Sequence, residues 1–291
     1  LRFYRFISMN LLRTFFFGVL CVATLSCSDD QRQTTPDMTS SYLFADGFET
    51  SSNQISELFP PDNSRWTSLQ QTNPTQEVNS ISITSAQVSE GEDALQIIAY
   101  PSDTQLSKMD IEKGGLNLRS GDHITITADF FIEGTAALTN LLLLDLECCS
   151  CWDPEVGDDY GAENQCPGVR LILSGENAFL SIERGKIGAS TIRQSAIGFP
   201  RDQWVTVQWE MTLANDMSGQ NKLFIDDTLV INENGMNMPN PAIFSAIFAQ
   251  EGIPFTLQEP VFYERVQIGA TANPSAAQIT MRIDNFSIEV E

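Results

Sequence analysis

The chain has 291 residues, of which 42% are hydrophobic, so it is long enough to bury the core of one large domain or two small ones. It carries 16 Lys and Arg against 38 Asp and Glu, which gives a formal net charge of -22 at pH 7. Binding to nucleic acid depends on clustered Lys and Arg that displace counterions from phosphates. The composition therefore indicates a folded protein and excludes a nucleic-acid partner.

The N-terminal segment has the three parts of a secretory signal, namely the basic residue Arg13, an apolar run over 14–25 and the small residue Ser26. The apolar run is shorter than the roughly 20 residues that a membrane-spanning helix needs. We therefore expect residues 1–26 to be a cleaved signal peptide whose true start is Met9.

Cys27 directly follows Leu25-Ser26, and this arrangement resembles the lipobox of bacterial lipoproteins. The resemblance implies that Cys27 becomes the lipidated N-terminus, with residues 27–41 as a polar, flexible tether. Ser28-Asp29-Asp30 resembles a short acidic signal that sends some lipoproteins to the outer face of the outer membrane. We expect a cell-surface protein that touches the membrane only through its lipid. An ordinary signal peptide is the alternative.

Outside the signal, the cysteines of the mature chain other than Cys27 form one cluster. An even number of cysteines in an exported chain predicts two disulfides. A four-thiolate zinc site is the alternative, because the cluster contains one CxxC spacing, although such sites normally present two spaced pairs. The cluster consists of Cys148, Cys149, Cys151 and Cys166.

Apolar and polar residues alternate with period two along most of the chain, which is typical of antiparallel strands. In residues 203–213, for example, Val205, Val207 and Trp209 share one face with Met211. Further strands are predicted at 78–84, 94–100, 122–132, 138–147, 168–174, 178–184, 222–226, 228–232, 262–270 and 279–290. This pattern predicts an all-β chain that folds as a single antiparallel β-sandwich or jelly roll over residues 42–291.

Two short polar segments, Gly175-Glu176-Asn177 and Asp226-Asp227, lie between predicted strands and indicate hairpin turns. Only residues 242–250 have apolar residues at helical spacing. We expect one short helix there, packed against an end of the sandwich.

Four segments resemble the concanavalin A-like lectin/glucanase superfamily, particularly its laminin G-like members. They are LFADGFET at 43–50, RDQWVTVQWEM at 201–211, NKLFIDDTLVIN at 221–232 and ERVQIGATANPSAAQITMRIDNFSIEV at 264–290. The superfamily includes both enzymes and binding modules, so the resemblance implies the sandwich fold rather than one activity.

Asp46 and Glu49 lie at the first predicted strand, and Asp284 lies in the last one. The apolar parity changes at Asp284-Asn285, which predicts a bulge that turns a carboxylate outward. The resemblance implies a structural calcium ion between such segments, and hard oxygen ligands suit Ca²⁺. Solvated surface acids are the alternative.

The segment 148–166 encloses five acidic residues and the aromatic residues Trp152 and Tyr160 between cysteines. Aromatic rings stack on apolar sugar faces, and carboxylates accept hydrogen bonds from sugar hydroxyls. The segment therefore predicts a glycan-binding loop. A loop that only covers a sheet edge, or one that binds calcium, is the alternative.

The outward residues of 203–213 and 122–132 predict a second binding surface, because the resemblance implies a glycan lying across a sheet. Its members are Trp204, Gln208, Glu210, His123 and Asp129. A sheet face that simply meets water is the alternative.

The chemistry of known enzymes on this fold is not apparent in the sequence. Laminarinase-type hydrolases carry two Glu around an Asp on one strand, whereas the nearest run here has Leu143 at the nucleophile position, before Asp145 and Glu147. Polysaccharide lyases usually use His and Tyr, but His123 is the only His and the alginate lyase motifs are missing.

We therefore expect a non-catalytic, extracellular glycan-binding lipoprotein that serves as an accessory to polysaccharide uptake. Its negative charge favours a neutral or calcium-bridged polysaccharide. A divergent polysaccharide lyase or glycoside hydrolase is the first alternative, and an adhesion or structural surface protein is the second.

Overall fold

The computed structural model describes residues 41–72, 78–101, 108–151, 166–184, 190–250, 252 and 257–291. Side-chain alternation makes most of these residues strands, because one face of each strand can then be buried. The strands are β1 (Ser41–Asp46), β2 (Ser68–Thr72), β3 (Ser80–Thr84), β4 (Ala94–Ala99), β5 (Lys108–Leu118), β6 (His123–Ile132), β7 (Leu138–Glu147), β8 (Gly168–Gly175), β9 (Phe179–Arg184), β10 (Ser190–Gly198), β11 (Trp204–Thr212), β12 (Gln220–Ile225), β13 (Thr228–Asn234), β14 (Tyr263–Ala272) and β15 (Ile279–Val290). The helices are a 3₁₀ helix (Ile55–Leu58) and α1 (Pro241–Gln250).

The described strands form two antiparallel sheets that pack into a sandwich. The eight-stranded sheet has the order β13-β12-β11-β6-β15-β4-β3, with β1 paired to β15. The seven-stranded sheet has the order β10-β9-β8-β7-β14-β5-β2. The predicted fold class, an antiparallel sandwich with one short α-helix in the described residues, is confirmed.

The core lies between the inner faces of the two sheets. Val205, Val207 and Trp209 of β11 point inward as predicted, and Val266 and Ile268 of β14 point inward from the other sheet; all are nearly or fully buried in one core. Each such side chain contributes about 1.5–3 kcal/mol through burial. Every strand thereby presents its alternate residues to the outside of the sandwich, where a site can form.

The predicted turn and bulge are both present. Asp226 and Asp227 join β12 to β13 with positive φ at both positions, as a two-residue type I′ hairpin requires. The pairing of β15 with β6 shifts between Asp284 and Ser287, and Asn285 has a φ of 49°. The last strand therefore bulges at the predicted place.

The helix α1 begins after Asn240, whose side chain accepts hydrogen bonds from the backbone N–H of Ala242 and Ile243. Phe244 and Phe248 are buried, so one side of α1 packs against the sandwich. Within the described part of the chain, no helix has the length and apolar character needed to cross a membrane.

Two strands of the seven-stranded sheet's edges, β2 and β10, and the more central β5 are not predicted by the sequence pattern. In β5, Met109 and Ile111 point into the core, but the alternate residues include Asp110 and Glu112. The pair Gly114-Gly115 within the strand resembles a turn, and Gly115 does have a φ of 81°. The strand forms because β14 and β2 pair with it on both sides.

Candidate functional site on the seven-stranded sheet

The outer face of the eight-stranded sheet holds three residues that the sequence predicts for glycan binding. Trp204 is half-buried and packs edge-on against Phe131, with ring centroids 5.8 Å apart. Gln208 donates a hydrogen bond to Glu210 over 2.9 Å, and Glu210 lies 3.5 Å from the ammonium group of Lys222. Gln208, Glu210 and Lys222 bind one another, as polar side chains do on a sheet that faces water, whereas the Nε1 atom of Trp204 is buried without a partner among the described residues.

A hollow of about 260 Å³ lies at one end of this face, and its lining includes His123, Glu210 and Lys222. The Nδ1 atom of His123 lies 3.0 Å from the hydroxyl of Thr212. Asp129 lies elsewhere on the face and accepts hydrogen bonds from neighbouring hydroxyl groups. Of the members of the predicted binding surface, the hollow is lined by His123 and Glu210, and its lining does not include Trp204, Gln208 or Asp129.

The four clustered cysteines form two disulfides, Cys148–Cys151 and Cys149–Cys166, as predicted. Glu147 lies within 4.8 Å of the sulfur atoms of Cys149 and Cys166, but these sulfurs are bonded to each other and offer no thiolate to a metal. The alternative of a four-thiolate zinc site is therefore wrong for this structure.

The predicted aromatic residues of the cross-linked loop, Trp152 and Tyr160, lie outside the described residues. The described ends of that loop are nevertheless informative. The sulfur of Cys166 accepts a hydrogen bond of 3.4 Å from Arg265 on β14. The loop therefore leaves and rejoins the sandwich beside the outer face of the seven-stranded sheet.

The three predicted calcium ligands bind protein donors in the structure. Asp46 forms an ion pair with Arg65 at 2.5 Å. Glu49 and Asp284 accept hydrogen bonds from backbone N–H groups of residues 89–93. Within the described residues these three carboxylates do not form a group whose ligand atoms all lie within 4.8 Å of one another. Calcium binding here stays a prediction.

Asp284 is fully buried beside the bulge and is the direct pairing partner of Asp129. Burial raises the pKa of Asp284 above its ordinary value, and the charge of Asp129 acts in the same direction, whereas backbone N–H donors oppose both. A bound cation would favour the charged carboxylate, which is the physical reason to test calcium at this position.

The outer face of the seven-stranded sheet carries a different set of side chains. One residue from each strand lies in register across the full sheet, which spans about 29 Å at the usual spacing of about 4.8 Å between strands. We call these residues the transverse row. From β2 to β10 they are Ser68, Glu112, Gln267, Asp145, Arg170, Glu183 and Thr191.

Next to the transverse row, Arg265 of β14 joins two carboxylates. Its guanidinium lies 2.6 Å from Glu147 and 3.2 Å from Glu112, and the side-chain nitrogen of Gln267 donates to the same two carboxylates. Burial disfavours the charged form of Arg265, but Glu147 and Glu112 outweigh it and raise the pKa of Arg265. Because Glu147 is fully buried, its charge depends on this guanidinium.

Asp110 lies on β5 two residues before Glu112, so both face outward, but Asp110 is fully closed to solvent. Neither of its carboxyl oxygens has a hydrogen-bond partner among the described residues. Burial raises the pKa of Asp110 to about 8; nearby Lys108 opposes this, while Glu147 and Asp145 are among the acids that reinforce it. At neutral pH Asp110 therefore carries a proton.

Two further buried atoms on this face lack a partner within the part of the chain that the structure describes. They are the side-chain oxygen of Gln267 and the Nε atom of Arg170. A buried polar group without a partner costs about 1–3 kcal/mol, so such groups call for an explanation such as a missing ligand. Together with the two oxygens of Asp110, they make four unpartnered atoms on three strands of one face.

The sequence does not reveal Asp110, Glu112, Arg170, Arg265 or Gln267 as members of a site. The signal that could have found the first two is the alternation of acids with apolar residues in β5. The remaining three stand on β8 and β14, which the alternation does predict, but nothing local indicates which residues they face.

The run that resembles a hydrolase motif is split between the core and this face. Leu143, at the position of a laminarinase-type nucleophile, is fully buried in the core. Asp145 and Glu147 point to the outer face, where Asp145 lies in the transverse row.

Several solved structures share this fold at low sequence identity. An endo-β-1,4-glucuronan lyase from the fungus Trichoderma reesei superposes with a TM-score of 0.57 and 12% identity over 85% of this chain and 95% of its own. The alginate lyase of family PL-14 from Aplysia kurodai has a TM-score of 0.53 and 11% identity over 85% and 98%. The cellulose induced protein Cip1 has a TM-score of 0.52 and 12% identity over 84% and 96%.

No protein-family model and no curated protein sequence matches the chain. At identities near 12% the structural likeness shows the fold, a jelly-roll β-sandwich, and leaves activity to be argued from the residues of the site.

Proposed function

We propose that the protein binds an extracellular polysaccharide across the outer face of the seven-stranded sheet. The observation that carries this proposal is the transverse row, in which each strand of this sheet places a polar or charged side chain in register on one outer face. Sugar hydroxyls both donate and accept hydrogen bonds, so one chain of sugars can serve carboxylate, amide, hydroxyl and guanidinium groups together.

The shape and charge of the face support a linear glycan. The transverse row runs across all seven described strands, which is long enough for several sugar residues. Arg265 is already shared by Glu112 and Glu147, and Arg170 stands between Asp145 and Glu183 in the transverse row, so each of these two cations of the face lies beside acids that would oppose an anionic polymer. The formal charge of the whole chain, -22, also opposes an anionic glycan unless divalent cations bridge it. We therefore favour a neutral polysaccharide.

The names of the structural neighbours support a role with carbohydrates, because two of them are lyases of glucuronan and alginate. We infer further that the protein acts at the cell surface through a lipid on Cys27. Labelling with a palmitate analogue should mark wild type and not Cys27→Ala. Equal labelling of both would contradict the lipid anchor.

Binding is tested with a glycan array, followed by titration of the best neutral polysaccharide. Arg170→Gln should weaken binding about 10- to 100-fold, because a hydrogen bond to a charged group contributes about 1.5–3 kcal/mol. Arg193→Gln is the matched control, since Arg193 is exposed and reaches Glu233 at the edge of the other sheet. Absence of any glycan ligand, or equal affinity of Arg170→Gln and wild type, would contradict the proposal.

We also propose a structural calcium ion near Asp46, Glu49 and Asp284. A cation that binds only the folded state raises its stability by mass action. Chelation should lower the melting temperature of wild type, whereas Asp284→Ala should respond to neither calcium nor chelator. An unchanged melting temperature of the metal-loaded protein after chelation would contradict this assignment.

A further inference from the structure

We propose that the protein has a second saccharide site, which takes a short neutral oligosaccharide, in a hollow on the outer face of the eight-stranded sheet. This hollow has a volume of about 460 Å³ and lies where β6 ends and β11 begins. Small-ligand sites occupy about 300–1,000 Å³, so the volume is adequate. We call it the Phe131 hollow. Its lining includes Gln87, Phe131, Glu133, Asp202, Gln278 and Thr280.

The apolar part of the Phe131 hollow is an aromatic ring that points away from the core. Phe131 is the direct cross-strand partner of Trp204 on one side and of Arg282 on the other. The ring centroids of Phe131 and Trp204 are 5.8 Å apart, and the guanidinium carbon of Arg282 lies 5.3 Å from the Phe131 ring centroid. These contacts hold the ring in one position, and its remaining exposed part faces the hollow, where it can contact the apolar C–H groups of a sugar.

Polar side chains with spare hydrogen-bonding capacity surround this ring. Those of Gln87, Gln278 and Thr280 are exposed or half-buried and make no hydrogen bond within the part of the chain that the structure describes. Amide and hydroxyl groups both donate and accept hydrogen bonds, as sugar hydroxyls do. Because these side chains already meet water, a sugar can reach them and take the place of that water.

Two carboxylates complete the rim, and one oxygen of each is held by the protein. The Oε1 atom of Glu133 lies 2.7 Å from Nη1 of Arg282, and the Oδ1 atom of Asp202 accepts a hydrogen bond of 2.7 Å from the backbone N–H of Gly134. The second oxygen of each has no partner among the described residues, and both side chains meet solvent. Such oxygens accept hydrogen bonds from sugar hydroxyls and repel an anionic sugar, which favours a neutral ligand.

One wall of the Phe131 hollow is fixed by Arg201 and its neighbour. The guanidinium of Arg201 donates to the backbone carbonyl oxygens of Ile132 over 3.2 Å and of Glu133 over 2.6 Å. The backbone N–H of Asp202 donates to the carbonyl oxygen of Ile132 over 3.0 Å. A site that is held in its binding conformation loses less conformational entropy when a ligand binds.

Three lining residues have left-handed backbone conformations, with φ of 57° at Gln87, 58° at Asp202 and 74° at Gly134. This conformation is uncommon for glutamine, and residues held in it are concentrated at ligand sites. The segment that carries Gln87 is fixed over the sheet by Ser89, whose hydroxyl donates to Asp129 over 2.7 Å. The hollow is therefore formed by three segments of the chain that are each held in place.

The experiment titrates the full chain with short neutral oligosaccharides built from glucose, mannose, galactose or xylose. The backbone amide resonances of Gly134 and Thr280 should shift when one of these sugars binds. Asp202→Asn keeps an oxygen for the N–H of Gly134 but removes the open charge, so it should weaken binding at least about 10-fold, because a hydrogen bond to a charged group is among the stronger ones. Asp227→Asn is the matched control, since Asp227 is also exposed and has a φ of 61°.

A second variant keeps the test decisive if Asp202→Asn does not fold. Gln87→Gly removes one amide, and glycine adopts the φ of this position without strain. It should weaken binding about 2- to 10-fold, as expected for one neutral hydrogen bond. Equal affinity of wild type, Asp202→Asn and Gln87→Gly would overturn the proposal. So would calcium alone, if it shifts the two amides and no sugar does.

This inference does not depend on the proposed function, and Arg170→Gln separates the two. Binding in the Phe131 hollow should be the same in wild type and in Arg170→Gln, because Arg170 lies on the opposite sheet. If Arg170→Gln abolishes the shifts at Gly134 and Thr280, the sugar binds on the seven-stranded sheet and the second site is wrong. If the shifts persist while no polysaccharide responds to Arg170→Gln, the second site stands and the proposed function fails.

Discussion

The outer faces of the two sheets arise from the same alternation of side chains, yet the polar side chains on them differ in exposure and in hydrogen bonding. On the eight-stranded sheet, Gln208, Glu210 and Lys222 contact one another and remain partly exposed. On the seven-stranded sheet, Asp110 and Glu147 are fully closed to solvent, and four buried atoms of this face have no partner among the described residues. The eight-stranded sheet also has buried nitrogen atoms without partners, on Trp204 and Arg282, so the contrast lies in the two carboxyl oxygens of Asp110, which are buried without a partner among the described residues.

The difference arises from charge as well as burial. The carboxylates of the seven-stranded sheet are gathered around one guanidinium, Arg265, and one amide, Gln267. The ion pair between Glu210 and Lys222 on the other sheet is exposed and screened by water. The comparison therefore predicts that equivalent substitutions on the two faces will have unequal effects.

The largest effect is expected from removal of the shared guanidinium. Arg265→Met leaves the fully buried Glu147 without its cation and should lower the free energy of unfolding by about 3–5 kcal/mol. Lys222→Met, the matched change on the other sheet, should cost at most about 1 kcal/mol because its partner Glu210 is exposed. Urea unfolding of both variants measures the difference, and equal losses would contradict the contrast between the faces.

A pH-dependent effect is expected at Asp110. Because the pKa of Asp110 is raised to about 8 in the folded protein, stability from the wild-type residue is complete near pH 4 and declines as pH rises toward 8. The decline is at most about 1.4 kcal/mol per pH unit. Asp110→Asn removes it, so the variant should gain stability over wild type between pH 4 and 8.

The control for this experiment is Asp227→Asn on the eight-stranded sheet, because Asp227 is exposed. Thermal unfolding at pH 5 and pH 8 compares the variants. An Asp110→Asn advantage that stays the same at both pH values would show that the buried carboxyl does not keep its proton.

The smallest effect is expected at Trp204. Its ring packs against Phe131 and does not line the hollow of its own face as far as the structure describes it, so Trp204→Ala should change glycan affinity less than Arg170→Gln does. Titration of one polysaccharide into both variants decides the matter. A loss of about 1–2 kcal/mol at Trp204 with none at Arg170 would place the glycan on the eight-stranded sheet.

Much of the fold could be predicted because burial of one face of a strand produces an alternation of apolar and polar residues along the chain. The inward residues Val205, Val207 and Trp209 follow from period two alone, as does the bulge at Asp284. The first half of β5 does alternate acids with apolar residues, but the strand is missed because the pair Gly114-Gly115 imitates a turn. Because β5 is missed, the sequence does not indicate that Asp110 and Glu112 belong to the candidate site.

The sequence by itself determined the antiparallel sandwich, the alternation of its strands and the clustering of four cysteines, because each of these follows from neighbours along the chain. Only the tertiary structure decided which outward face holds the candidate site. Arg265 meets Glu147 from 118 residues away, and Gln267 meets Glu112 from 155 residues away. No local pattern records such pairings, because they depend on the strand order of the sheet and on which polar groups that order shields from water.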